Sequence, residues 1–167
     1  NPSTTVDPPT PILTLTGTTG NVVQLEVVDD QLIARTRDGW LAALRSYLEF
    51  ADAHHRRYGF RCNMPLGSYY VRQDAGSLLS YSNDGDTFSI DPIHAPTDQA
   101  AWDRFLREFN EFAAKRNGIP LLNQSPFITR EQCERAYGAR WTQFRDWVRS
   151  IEPDGRMLNP FFAELLG

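Results

Sequence analysis

Three stretches of the chain carry side chains whose type and spacing could do chemistry. In Gly67-Ser-Tyr-Tyr-Val-Arg-Gln-Asp74 an extended backbone puts Tyr70, Arg72 and Asp74 on one face and Tyr69, Val71 and Gln73 on the other. A phenol, a guanidinium and a carboxylate in a row make a polar face. It is either a solvent-facing Tyr–Arg–Asp ladder or a platform of donors beneath an anionic or carbonyl group. His94 sits in Asp91-Pro-Ile-His-Ala-Pro96, a proline-stiffened loop leaving a strand. Stiff loops at strand ends commonly carry site residues, and a lone histidine there also serves as loop filler. In Gly118-Ile-Pro-Leu-Leu-Asn-Gln-Ser-Pro126, two prolines bracket Asn123, Gln124 and a hydroxyl among apolar residues. Buried amides must be hydrogen-bonded, so these two either brace the backbone or face a ligand.

Other reactive types are set aside by their spacing. His54 and His55 are adjacent near the end of a helix, point about 100° apart and cannot chelate one metal together, so they read as structural. Cys62 and Cys133 stand far apart with no CxxC and no nearby histidine pair, which argues against zinc; buried free thiols are expected, with a disulfide as the alternative. Of the 17 basic residues one, Lys115, is a lysine, so any Schiff-base or general-base lysine would have to be Lys115. The glycines form neither GxGxxG nor GxxxxGK[ST], and no Ser–His–Asp pattern is present.

The elements that must hold these residues follow from periodicity. Residues 1–11 contain Pro2, Pro8, Pro9 and Pro11 and read as an extended linker. Strands are expected at 12–16, 21–28 and 31–35. A helix runs from Asp38 to Gly59 with Trp40, Leu41, Leu44, Tyr47, Leu48 and Ala51 as its apolar face. Three strands follow at 67–72, 77–82 and 86–91, the last two joined by the turn signal Asn83-Asp84-Gly85. Thr97 is expected to cap a second helix buried through Trp102, Phe105, Leu106, Phe109, Phe112 and Ala113, which Asn117-Gly118 stops. Thr129 with Gln132 forms a capping box, Trp141, Phe144, Val148 and Ile151 line a fourth helix, and Asn159-Pro160 opens a last one. The fold class expected is α+β, a mostly antiparallel sheet with helices on one face and a C-terminal helical segment.

The composition bounds the rest. A chain of 167 residues, 41% hydrophobic, supports one well-cored domain, or one domain plus a tail. No apolar run approaches a membrane span. A net charge of −4 without a basic run argues against nucleic acid as a partner. The polar, proline-rich opening residues do not read as a secretory signal, and the start at Asn rather than Met leads to the expectation of a processed or excised piece of a longer protein.

From about Gly67 to Gly167 the chain resembles the end of flavin-dependent oxidases of the vanillyl-alcohol-oxidase type. These include aldonolactone and alditol oxidases and covalent-flavin cholesterol oxidases. The resemblance lies in Gly118-Ile-Pro-Leu-Leu-Asn-Gln124, Ala136-Tyr-Gly-Ala-Arg-Trp-Thr-Gln-Phe144 and Glu152-Pro-Asp-Gly-Arg-Met-Leu-Asn-Pro-Phe-Phe162. The last resembles the family's ending, with Glu152 in place of the usual Asp.

The resemblance implies FAD as cofactor, an N-terminal FAD-binding domain of the same parent protein as partner, and a small-molecule alcohol as substrate. Residues 12–117 would form the cap or substrate region, and 118–167 would return towards the FAD domain. Tyr70-Val71-Arg72 resembles the family's Glu-x-Arg pair, with Tyr70 in place of the acid. Arg72 would face the flavin and stabilise charge on its reduced form. Sugar-lactone members carry His-Trp-Gly-Lys where this chain has Leu121 to Gln124. The lysine is absent and the pocket more apolar, which points to a weakly polar, sterol-like substrate. Asn123 would then lie near the reacting hydroxyl and the flavin, Gln124 and Leu122 would hold the substrate, His94 would assist proton removal, and Asn159 would contact the cofactor. The alternative from a different class is a non-enzymatic α+β ligand-binding or interaction module in which Tyr70, Arg72 and Asp74 are surface.

Overall fold

The computed structural model describes residues 23–24, 37–95, 97–156 and 158–167. The expected linker at 1–11 and the strands at 12–16 and 31–35 lie outside these residues, as do all but Val23 and Gln24 of the strand between them.

Helices and strands are mixed, and the helices dominate. Helix α1 spans Arg37–Tyr58, α2 Gln99–Ala114, α3 Arg130–Tyr137, α4 Ala139–Ile151 and α5 Pro160–Leu166. The strands are short: β1 Val23–Gln24, β2 Tyr70–Val71, β3 Thr87–Ile90 and β4 Ile119–Pro120. They form one sheet in the order β2-β3-β1-β4 with antiparallel pairing throughout. Pro120 has no N–H to give a ladder and lies on β4, an edge strand among the described residues, where proline is tolerated.

Local chemistry sets the helix ends. The Asp98 carboxylate accepts from the Ala101 amide at 3.0 Å and caps α2, a role the sequence assigned to Thr97. The Thr129–Gln132 capping box opens α3, and Asn159 with Pro160 opens α5 as the sequence indicated. Gly138 separates α3 from α4 at φ 53 and ψ −128, a conformation a side chain would strain.

Two hydrophobic cores result. The first joins α1, α2 and β3 through Ala43, Tyr47, Ile90, Phe105, Phe109 and Ala113. The second joins β4, α3, α4 and α5 through Ile119, Cys133, Tyr137, Trp141, Val148 and Leu165. Burying a ring such as Phe105 or Phe109 contributes about 1.5–3 kcal/mol each. Both cysteines are free; Cys133 lies inside the second core and Cys62 packs against the first.

Two sequence expectations change. Helix α1 keeps Tyr47, Leu44 and Ala51 against the first core as expected, but adds Ala43 and His54 to the buried side and leaves Leu41 and Leu48 exposed, because its contact with α2 follows the small Ala43 and the rings of Tyr47 and Phe50. Residues 77–82 are turns rather than a strand. Their carbonyls find a different partner: Arg140 of α4 donates through Nη1 to Leu78 O at 3.1 Å and to Ser80 O at 2.9 Å. Leu79 and Tyr81 pack on the second core.

Candidate functional site

The proline-bracketed loop after β4 and the start of α5 converge on one cavity of about 520 Å³. Leu122, Asn123, Gln124, Asn159, Phe161 and Phe162 line it, and among the described residues no ionisable side chain does. Local structure explains how the loop presents its amides. Residues 122–124 form a turn closed by the Gln124 amide donating to Leu121 O at 2.9 Å. Below the turn, backbone carbonyls are held by side chains. The Tyr137 hydroxyl donates to Pro120 O, Arg135 Nη2 to Gly118 O at 2.7 Å, and Asn110 Nδ2 to Pro126 O at 2.9 Å. Asn123 is exposed, Gln124 half-buried and Ser125 buried. On the opposite wall, the Asn159 side-chain oxygen accepts from the Phe162 amide at 2.9 Å, so its amide group is held in place as a helix cap. A cavity walled by neutral amides and aromatic rings fits an uncharged ligand with hydrogen-bonding groups.

The residues at β2 sit elsewhere. Neither Tyr70 nor Arg72 lines the Asn123 cavity. Tyr70 packs at a tilt against Phe88, with ring centroids 5.2 Å apart and planes 52° apart, and its hydroxyl donates to Asp86. That bond raises the phenol above its ordinary value and, with the Gln73 amide at 2.8 Å, lowers the Asp86 carboxyl. The expected Tyr–Arg–Asp ladder is not formed, because β2 ends at Val71 and Asp74 turns away to accept from the Gly76 amide at 3.0 Å. Arg72 is exposed, and among the described residues it has no carboxylate within 4 Å of its guanidinium.

His94 is buried between Phe60 and Trp102, with centroid distances of 4.8 and 5.3 Å. Its Nδ1 accepts from the Asn63 amide at 3.4 Å and its Nε2 stands 3.5 Å from the Thr97 hydroxyl. This arrangement suits the neutral Nε2–H tautomer, and burial holds its pKa below the ordinary histidine value. The ring pins the loop after α1 to the loop after β3, and it does not line the Asn123 cavity.

Burial pushes the Asp91 carboxyl up to about 6; among the described residues its Oδ1 has no hydrogen-bond partner. Among the described residues no group of three His, Cys, Asp or Glu side chains could hold a metal ion, and no helix is long and apolar enough to cross a membrane.

Asn110, Phe161 and Phe162 were not singled out by their sequence context. Asn110 had a readable signal: it is a polar residue on the apolar stripe of α2, between Leu106 and Ala113. Searches of the chain against protein-family models, curated proteins and solved structures return no match.

Proposed function

We propose that this chain is the substrate-binding and cap portion of an FAD-dependent oxidoreductase that oxidises a weakly polar alcohol by hydride transfer to the flavin. The observation that supports this reading is the Asn123 cavity. Leu122, Asn123, Gln124 and Asn159, the four positions the family resemblance assigns to substrate or cofactor in the C-terminal segment, line one space although Asn159 is remote from the others in sequence. Its lining of amides and phenylalanines, without a cation, suits a neutral hydroxyl-bearing substrate more than a carboxylate.

In this reading the sheet carries its helices on one face, and the C-terminal helices return towards an FAD domain of the same parent protein. Trp147 and Ile151 on α4, 55% and 60% exposed, provide an apolar strip for that contact. FAD supplies the hydride acceptor. Asn123 and Gln124 orient the substrate hydroxyl, and the aromatic wall excludes water. Arg72, exposed just after β2 and with no carboxylate within 4 Å among the described residues, is the residue the family resemblance assigns to stabilising negative charge on the flavin.

The test is the absorbance spectrum of the parent protein, expressed with all coding sequence contiguous with this chain. A yellow protein whose flavin bleaches anaerobically on adding a hydrophobic alcohol is the expected result. A colourless parent that takes up no FAD would overturn the reading and favour the non-enzymatic binding module.

A further inference from the structure

We infer that Asn110 is a positioning residue for the Asn123–Gln124 site, acting through the Pro126 carbonyl. This rests on reading the Asn123 cavity as a binding site.

Four observations converge. First, Asn110 is 5% exposed on a helix face otherwise given to Phe105, Leu106, Phe109 and Ala113. An amide placed there is costly unless it makes a specific bond. Second, it makes one: Nδ2 donates to Pro126 O at 2.9 Å, while Oδ1 is buried without a hydrogen-bond partner among the described residues, so the whole return on burying this amide comes through the Pro126 carbonyl. The carbonyl can accept and cannot donate, which fixes the orientation of the amide. Third, Phe127, the next residue, has φ 64, a left-handed backbone that a bulky side chain adopts only when its surroundings impose it. The surroundings are visible: the bond from Asn110 before it, the Thr129–Gln132 capping box after it, and the Arg107 guanidinium 3.9 Å over its ring. Fourth, the segment so constrained is the one that carries Asn123 and Gln124 into the cavity.

A loop that had only to connect β4 to α3 would relax out of the left-handed region. Here the strain is retained and a buried amide is committed to one carbonyl. The result is a turn whose two amides are held in a fixed direction before any ligand arrives, which lowers the ordering cost of binding.

The experiment uses the full 167-residue chain and follows the Gln124 backbone amide by NMR-detected hydrogen exchange, with the side-chain amide resonances of Asn123 and Gln124 as a second reporter. Asn110→Leu keeps the bulk and removes the donor. Protection of Gln124 is expected to fall about tenfold, the worth of one net hydrogen bond, while amides of α1 keep theirs.

Asn110→Asp distinguishes positioning from space-filling. A protonated carboxyl can donate to Pro126 O, and a carboxylate cannot. Corrected for the intrinsic pH dependence of exchange, Gln124 protection should recover on acidification and disappear as the acid ionises, across about pH 4 to about pH 8. Arg135 of α3, which lines the same small void as Asn110, favours the ionised form and draws the transition to the lower end. If Asn110→Leu does not fold, the two arms of the Asn110→Asp titration decide alone. Unchanged Gln124 protection in the leucine variant, loss spread evenly over α2 and α3, or no recovery on acidification overturns the inference. A parent protein without flavin removes the flavin reading and leaves this clamp standing, and a flavoprotein whose loop ignores Asn110 does the reverse.

Discussion

Arg140 reaches the Leu78 carbonyl across 62 positions of sequence and the Ser80 carbonyl across 60. These two bonds replace the ladder that a strand at 77–82 would have required, and they tie that segment to α4. The guanidinium is 19% exposed and also lies 3.8 Å from Asp84.

Arg140→Ala is therefore expected to destabilise the chain by about 2–3 kcal/mol, since it strips a charged donor from two carbonyls at once. Arg140→Lys should recover less than half of the loss, because a point-like ammonium does not reproduce the planar fork. Urea unfolding of the three proteins checks this; equal midpoints for Arg140→Ala and the parent sequence would refute it.

Phe127 provides a test of backbone strain. Phe127→Ala and Phe127→Gly both lose the ring and its contact with Arg107. At φ 64 glycine carries no Cβ penalty, so the glycine variant should be the more stable by about 1–2 kcal/mol. In an ordinary loop the order is reversed, and an alanine variant as stable as the glycine one would show that the left-handed backbone is not imposed.

His54 makes stability depend on acid. Its ring is buried among Phe50, Tyr58, Phe60 and Phe105; among the described residues neither nitrogen has a hydrogen-bond partner, Nε2 standing 3.8 Å from Glu108 Oε2. Burial lowers its pKa against the pull of Glu108 from α2, with Arg104 of α2 and Arg57 of α1 lowering it further. The folded state thus disfavours the proton. The stabilisation is complete above the unfolded pKa of about 6.5 and is lost as pH falls below it towards the folded value. His94 has the same sign. Asp91 has the opposite one: raised to about 6, it makes the folded state bind more protons and gains stability as pH falls through that value. His54→Phe should flatten the acid limb of a urea-midpoint-versus-pH curve, and Asp91→Asn should steepen it. A curve of unchanged shape in both variants contradicts these assignments.

Arg72 separates a functional role from a structural one. Exposed and without a carboxylate partner within 4 Å among the described residues, it should be replaceable by alanine with a stability change inside about 0.5 kcal/mol. In the parent flavoprotein of the proposed reading, the same change should slow flavin reduction by about 10²–10³, as loss of one preorganised charge-stabilising donor does. Rapid-mixing measurement of flavin bleaching decides this. A parent-like rate in a folded, FAD-loaded Arg72→Ala protein removes Arg72 from the chemistry.

What the sequence made legible was local. The Thr129–Gln132 box and the Asn159-Pro160 start each lie within a single helical turn, and both appear where their residue types placed them. The apolar stripe of α2 is likewise written at helical spacing. The strand expected at 77–82 is replaced by turns for a non-local reason: Arg140 of α4 takes the Leu78 and Ser80 carbonyls, a partner no pattern within 77–82 encodes. On α1 the helical spacing places Tyr47, Leu44 and Ala51 inward, but hydrophobicity alone favours Leu41 and Leu48 where fit against α2 favours Ala43 and His54. At the cavity, Leu122, Asn123 and Gln124 were legible as a stiff loop with unusual amides, and Asn159 by its resemblance alone. That they share one space depends on α5 packing on α3, which no local pattern encodes.

The separation of the two cores has a consequence for how the chain reaches its structure. The second core draws its buried residues from one continuous stretch, Ile119 to Leu166, and from upstream receives only the partial cover of Leu79 and Tyr81 among the residues described. Its contacts are short in sequence, so little loop-closure entropy opposes it. The first core must bring α1 against α2 and β3 across a longer span. The C-terminal half is therefore expected to assemble early and to open last in hydrogen exchange, as its own cooperative unit. Assembly of the cavity then completes inside that early unit, since Leu122 to Pro126 and Asn159 to Phe162 both belong to it, while the Asn110 clamp closes only when α2 arrives.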